Sequence, residues 1–311
     1  MWSDRAVTIT LALDIGGTKM AAGLVDAAGT VLVHDRVDTP PDGDAETLWG
    51  SVLSVVDSVL SSPAAVPYDA VGIGCGGPMQ WPAGLVSPIN IHGWRDFPLL
   101  HRMAERYAGT RPIAIHNDAV ALAVAEHRWG AGRGHDHVLG MVVSTGVGGG
   151  LVLGGRRIDG GTGNAGHIGH MVVDPSGPPC PCGSRGCVEA IARGPAIAAY
   201  AVELGWTGEQ TGIAVAAGAR DGDAACRAAF ERAGRAVGAA IVSATALLDL
   251  DVVTIGGGIA QTGDLFLDPV RASFDELAGL AFIRRCEIVP ARLGPLAGLS
   301  GAAALVLPDV A

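Results

Sequence analysis

The sequence predicts an α/β protein of two similar lobes with a cleft between them. An apolar, β-branched run that ends in glycines opens the chain at residues 7–14, before Gly16-Gly17, and recurs at residues 137–144, before Gly146-Val147-Gly148-Gly149-Gly150. Each run begins a meander, after which strand-like and helical runs alternate, so one supersecondary plan is used twice. The composition allows two cores: of 311 residues, 49% are hydrophobic and 17% charged, a globular balance.

In chain order, residues 7–14, 20–25 and 31–37 read as three strands, with a turn at 26–29. Residues 45–60 have helical spacing, placing Leu48, Val52, Val55, Val56 and Val59 on one face. Residues 70–75 are a buried strand leading into Gly76-Gly77-Pro78. A helix at 98–107, a strand at 112–116 and an amphipathic helix at 119–128 follow. The second half reads as a strand at 137–144 and its hairpin partner at 150–153, then helices at 195–204, 213–219 and 224–248. A strand at 252–255 ends in Gly256-Gly257-Gly258; a helix at 266–280, a short strand at 287–290 and an apolar helix at 299–307 complete the chain. The expected domains are a smaller lobe of residues 1–117 joined by a C-terminal helix within 298–311, and a larger lobe of residues 118–297.

The net charge of −10, from 21 basic and 31 acidic residues, makes nucleic acid a poor partner, because phosphate binding needs Lys and Arg. No apolar run approaches the ~18 residues of a membrane span. The N-terminal residues lack the pattern of a signal peptide, so a cytoplasmic protein with no membrane partner is expected. Three of the six cysteines fall within eight residues, Cys180, Cys182 and Cys187, and in such a chain a tight cluster reads as a metal site before a disulfide.

Asp14-Ile15-Gly16-Gly17-Thr18-Lys19 follows a strand directly. Glycine lets backbone N–H groups approach a phosphate, so Gly16, Gly17, Thr18 and Lys19 are candidate phosphate contacts. Asp14 can hold Mg²⁺ through water. The loop is not a Walker A sequence; read alone, it also fits a plain hairpin turn. Thr145-Gly146 opens a second such loop, and two like loops suit two lobes gripping one polyphosphate. Gly257 and Gly258 form a third, with room for a flat adenine ring. Gly166-His167-Ile168-Gly169-His170 precedes the cysteine cluster, and one His with three Cys completes a closed, structural zinc set. His170 is the better-placed His, although the spacing also admits His167.

With these motifs in this order the chain resembles the ROK family of repressors and kinases, a branch of the actin-like (ribonuclease H-like) α/β fold. DIGGTK, IHND, STGVGGG, the GHIGH-to-GCVEA block and the late GGG carry the resemblance. It implies an ATP-dependent hexose or amino-hexose kinase acting at O6, with ATP, Mg²⁺ and structural Zn²⁺, working as a homo-oligomer, a dimer by analogy. It makes Asp118 the general base of an Asn117-Asp118 pair and His170, Cys180, Cys182 and Cys187 the zinc ligands. It makes Gly77, Asn90, Asn117, His170 and Glu189 sugar contacts. His167 stands where the family pattern G-E-x-G-H has a Glu that contacts the C1–C2 end of the sugar, so the resemblance makes His167 a further sugar-contact candidate and one that bears on which hexose is taken. The GHIGH run resembles N-acetylmannosamine kinases, whereas SPINIHGW resembles glucokinase-like members. Asp118 also precedes a helical run, the position of an N-cap. A family repressor carries a helix-turn-helix ahead of the first strand, for which the start near Val7 leaves no room. A sugar sensor without catalysis is disfavoured by the intact Asp118 and both phosphate loops, and polyphosphate in place of ATP is compatible with the same motifs.

Overall fold

The computed structural model describes residues 7–309. The segment read for a signal peptide and the outer ends of the expected lobe, residues 1–6 and 310–311, lie outside the described residues. The chain forms two compact units: Met1–Arg133 with Gly155–Ala165 and Leu293–Ala311, and Gly134–Gly154 with Gly166–Arg292.

The first unit begins with β1 (Ile9–Ile15), β2 (Lys19–Asp26) and β3 (Val31–Asp38), followed by α1 (Ala45–Leu60) and β4 (Ala70–Cys75). A small hairpin, β5 (Met79–Gln80) and β6 (Leu85–Val86), leads to α2 (Leu99–Met103), which continues as a π turn over Ala104–Ala108. Then come β7 (Ile113–Asn117) and α3 (Asp118–Trp129). The sheet order is β3-β2-β1-β4-β7, antiparallel within the meander and parallel from β1 to β7.

Alternation along β1 explains the layering. Leu11, Leu13 and Ile15 face a core with Val52, Val55 and Val56 of α1, and each fully buried side chain of this kind contributes about 1.5–3 kcal/mol. Ala12, on the other face, meets Leu299, Ala302 and Ala303 of the last helix. α1 starts cleanly because Asp44 caps it, accepting the Thr47 N–H at 2.7 Å.

In the second unit β8 (Val138–Val143) and β9 (Val147–Leu153) form the opening hairpin. The short β10 (Arg156–Ile158) lies in the stretch that belongs to the first unit. A 3₁₀ turn at Ile168–His170 leads into the cysteine segment, then to α4 (Val188–Ala192), α5 (Gly194–Glu203), α6 (Gly212–Arg220) and α7 (Ala224–Leu248). β11 (Val252–Gly256), α8 (Asp264–Leu277), α9 (Ala281–Arg284) and β12 (Glu287–Pro290) complete it, and α10 (Ala297–Ala304) returns to the first unit. The order β9-β8-β11-β12 repeats β2-β1-β4-β7, with the same antiparallel and parallel senses. Close approach of α7 and α8 uses glycine: a Cβ on Gly238 would lie 2.6 Å from the Val270 carbonyl oxygen.

One boundary differs from expectation. The sequence reading ended the first lobe at residue 117 and gave 118–297 to the second, whereas the first unit runs to Arg133 and also takes residues 155–165. The reason is packing. A Cβ on Gly301 of α10 would lie 2.8 Å from the Ala121 carbonyl carbon, and one on Gly74 of β4 would lie 3.7 Å from the Ala121 Cβ, so small residues bind α3 to this unit. The buried Glu126 fastens its end, accepting the Ala131 N–H at 2.7 Å and the Leu293 N–H at 2.9 Å. Among the described residues no helix is long and apolar enough to cross a membrane.

Candidate active site

The β1–β2 turn carries Gly16, Gly17 and Thr18, and Lys19 opens β2. The Gly16 N–H donates to the Lys19 carbonyl at 3.0 Å. Thr39 braces the turn from β3's end, its hydroxyl donating to the Gly16 carbonyl at 2.7 Å and its N–H to the Thr18 carbonyl at 3.1 Å. Gly17 has no room for a side chain, because a Cβ there would overlap that of Asn90. The candidate phosphate turn and the candidate sugar residue Asn90 are therefore in contact. Gly77 joins them, its carbonyl accepting the Ile89 N–H at 3.1 Å.

Asp14 and Asp118 come together because of a glycine. The strand register pairs Asp14 with Gly74 and Gly74 with His116, a row across β1, β4 and β7. Gly74 contributes no side chain to that row, and the Asp118 Cα lies 3.7 Å from where its Cβ would be. Asp118 is the first residue of α3, and the cap is Asn117, not Asp118 as the sequence also allowed. Asn117 Oδ1 accepts the Ala119 N–H at 3.0 Å, and Asp118 Oδ1 accepts the same N–H at 2.8 Å. A carboxylate in the first turn is favoured by about 0.3–1 kcal/mol through the helix dipole.

Burial first, and the Asp118 charge second, push the Asp14 carboxyl from its ordinary 3.8 up to about 6, with Lys19 pulling the other way. Folded Asp14 thus holds its proton more tightly than unfolded Asp14. Its contribution to stability is full below pH 3.8 and is lost as pH rises through about 6. Asp14→Asn is expected to remove that loss. The carboxyl retains some solvent contact, so thermal melts without Mg²⁺ at pH 7.5 should show a gain of about 1–2 kcal/mol over wild type, and no gain at pH 3. Equal stabilities at both pH values would contradict it.

In the second unit the turn Thr145–Gly146 separates β8 from β9, closed by the Ser144 N–H on the Gly146 carbonyl at 2.8 Å. Glu189, in the first turn of α4, accepts the Val147 N–H at 2.9 Å through Oε2. A Cβ on Gly146 would lie 3.0 Å from that oxygen, so Glu189 is tied to the glycine turn itself. Gly257 sits at φ +95° with its Cβ position against the Val143 carbonyl, a place only glycine fills. The Cβ position of Gly258 is 3.6 Å from Ser144 Oγ, which brings the third glycine turn against the second.

The cysteine segment forms a compact centre. One ligand atom each from His170, Cys180, Cys182 and Cys187 lies within 4.8 Å of the others. Cys182 and Cys187 have Sγ atoms 3.8 Å apart, and Cys180 Sγ is 3.9 Å from His170 Nδ1. Four ligands at the usual Zn–S distance of about 2.3 Å have tetrahedral edges of about 3.8 Å, so the set fits zinc. All six cysteines are free in this structure. Burial pushes Cys180 up to about 12 and raises Cys187, while the Ser184 backbone N–H pulls Cys182 down. Packed thiols of this kind lose their protons to a divalent cation. His170, not His167, joins the cluster; the His167 ring stands beside that of His170, centroids 6.2 Å apart. The segment is pinned to β9, since a Cβ on Gly169 would overlap the Val147 carbonyl.

Sequence reasoning did not single out Thr39, Glu126, His116 or Asp159. None lies in the three glycine turns singled out from the sequence or in the cysteine cluster, although Asp159 precedes a further glycine run at residues 160–163; His116 and Asp159, which bond to each other, are 43 residues apart in sequence.

The ROK family model matches residues 10–308. The chain is 34% identical to a glucokinase of Streptomyces coelicolor, over 96% of this chain and 97% of that protein. It is 35% identical to an N-acetylmannosamine kinase of Yersinia pseudotuberculosis, over 94% and 96%. Among solved structures, a ROK family glucokinase from Streptomyces griseus in complex with glucose and AMPPNP superposes with a TM-score of 0.82 at 35% identity, over 97% of this chain and 99% of that one. The fold is therefore the two-lobed, actin-like α/β fold that the family resemblance implied, with the two lobes that the repeated strand-and-glycine plan predicted. With the family model running over nearly the whole sequence, the chain belongs to the ROK family.

Proposed function

We propose that this protein transfers the γ-phosphoryl group of ATP to O6 of a hexose or amino-hexose, with Asp118 as general base. The observation that carries the reading is that Asp14 and Asp118 flank the same empty side-chain position at Gly74, beside the braced Gly16–Thr18 turn. Glucokinase relatives over nearly the full length support it. A sugar hydroxyl is a weak nucleophile, so Asp118 accepts its proton as the oxygen attacks phosphorus, a contribution of about 10²–10⁴ in rate. The rest comes from alignment and charge neutralisation.

Each residue has a role that its geometry allows. Gly16, Gly17, Thr18 and Lys19, with Thr145 and Gly146, contact the phosphates, and Gly257 and Gly258 leave space for the adenine. Gly77 and Asn90 contact the sugar. Asn117 Oδ1 is occupied by its cap bond, so the amide N–H groups are what it offers a hydroxyl. Glu189 uses Oε2 on Val147 and offers Oε1. His170 orients the sugar from the zinc centre. Asp14 would hold Mg²⁺, which would neutralise phosphate charge there; the carboxyl, raised first by burial and second by the Asp118 charge, would be favoured in its ionised form by such a cation. Zn²⁺ on His170, Cys180, Cys182 and Cys187 is structural, because four protein ligands leave no open position. A cytoplasmic setting suits six unpaired cysteines.

A second reading, an N-acylhexosamine kinase, is favoured by His167 in place of the family Glu and by the N-acetylmannosamine kinase relatives. ADP release over a panel of glucose, mannose, glucosamine, N-acetylglucosamine and N-acetylmannosamine, with ATP or polyphosphate as donor, separates the readings. Absence of turnover on every sugar would sink the enzyme. His167→Glu is expected to shift kcat/KM among C2-substituted hexoses by about 10–10²-fold, since a site that hydrogen-bonds a substituent discriminates strongly against its absence. An unchanged profile would show that His167 selects nothing.

A further inference from the structure

His116 is the strand residue immediately before Asn117 and Asp118, and its imidazole is wholly buried. Its Nδ1 lies 2.8 Å from the Asn117 N–H. A backbone N–H only donates, so Nδ1 carries a lone pair and the ring proton sits on Nε2. That nitrogen is 3.0 Å from Asp159 Oδ1, to which it donates. Asp159 is gripped in turn by Arg157, whose Nε donates to Oδ1 at 2.6 Å and whose terminal NH₂ donates to Oδ2 at 3.3 Å. Trp81 packs on the imidazole with ring centroids 6.0 Å apart, and Gly163 backs the indole so closely that a Cβ would overlap it. All of these groups belong to the first unit.

The geometry points to His116 as a positioning residue for the base, held in one tautomer by Asp159 and Arg157 so that its Nδ1 fixes the peptide from which Asp118 departs. The inference rests on Asp118 being the base. β7 is the edge strand of its sheet, and its last N–H finds a partner in a side chain instead of a neighbouring strand. Without that bond the exit of β7 is free to rotate, and the carboxylate at the start of α3 rotates with it. Substrate contact is not required of His116, because one ring nitrogen faces the backbone and the other a carboxylate.

Two amide substitutions separate the two bonds. His116→Asn keeps an acceptor near the Nδ1 position, and His116→Gln keeps a donor near the Nε2 position. His116→Gln should lose ~10²-fold in kcat with KM for sugar and ATP within about threefold, the cost of a displaced but intact base. His116→Asn should recover about tenfold of that loss. Asp159→Asn, at a partly exposed site, tests the same relay if the buried substitutions fail to fold, and should lower kcat about tenfold with KM unchanged. Asp118→Asn is run beside them. Wild-type kcat in His116→Gln and Asp159→Asn, with Asp118→Asn inactive, overturns the positioning role and leaves the base standing. Equal losses in His116→Asn and His116→Gln that track their melting temperatures also overturn it. Wild-type turnover by Asp118→Asn removes the base and the inference together.

Discussion

Asp118→Asn is expected to lower kcat by ~10²–10⁴ or more while leaving sugar affinity within about threefold. The substitution isolates proton acceptance. Asn retains an oxygen for the Ala119 N–H that Asp118 accepts at 2.8 Å, and the cap itself belongs to Asn117, so α3 should start where it does now. Loss of the negative charge costs about 0.3–1 kcal/mol at the helix terminus. It also removes a repulsion that raises Asp14, so the melting temperature should move little. Asp14 should then titrate lower than about 6, though still above its ordinary value, because burial is the larger cause of its shift. Steady-state kinetics, calorimetric sugar binding and a melt on the same preparation check all three. Normal turnover would remove Asp118 as the base.

Cys182→Ser, or chelation of the wild type, is expected to release one zinc per chain and to disorder the segment from Met171 to Cys187. Apart from the metal ligands, that stretch is held by short backbone hydrogen bonds within itself, such as the Cys180 N–H on the Ser184 carbonyl and the Gly186 N–H on the Pro178 carbonyl, each at 2.8 Å, with no strand or long helix to anchor it. Its pairings are the isolated bridges Val172 with Cys187 and Pro179 with Arg185, and its own apolar cluster is Cys180, Cys187 and Ala190. Structural zinc contributes on the order of 10 kcal/mol, comparable to the whole stability of a typical domain. Because Ile168 and Gly169, in the turn immediately before that segment, pack against β9, the disorder should reach the Thr145–Gly146 turn and weaken sugar and nucleotide binding together. Metal analysis and hydrogen exchange over residues 166–190 read this directly. A wild-type protein containing no zinc, or a Cys182→Ser protein with full metal and unchanged exchange, would overturn the zinc centre.

Much of this was legible in the chain itself. Apolar periodicity placed α1 at Ala45–Leu60, α7 at Ala224–Leu248 and β4 at Ala70–Cys75 without error, because each is long, bounded by strong signals, or both. Shorter pieces were missed: the β5–β6 hairpin, β10 and α4 are two to five residues each, too short for a period of alternating or helical spacing to declare itself. The zinc set could be read down to one open choice, since Cys spacing is chemistry written locally. The choice between His167 and His170 was not local. It depended on which ring the 3₁₀ turn at Ile168–His170 delivers to the sulfurs.

The sequence by itself determined the repeated strand-and-glycine plan, the glycine turns proposed to hold phosphate, the His and Cys cluster as a group and the Asn117-Asp118 pair. These are runs of neighbouring residues whose chemistry is complete within a short stretch of chain. Only the tertiary structure decided that α3 stays with the first unit, that an empty side-chain position at Gly74 lets Asp14 feel Asp118, and that Asp159 reaches back 43 residues to hold His116. Each of these depends on strand register and close helix packing, which bring distant residues within bonding range and leave no mark on the spacing of residues along the chain.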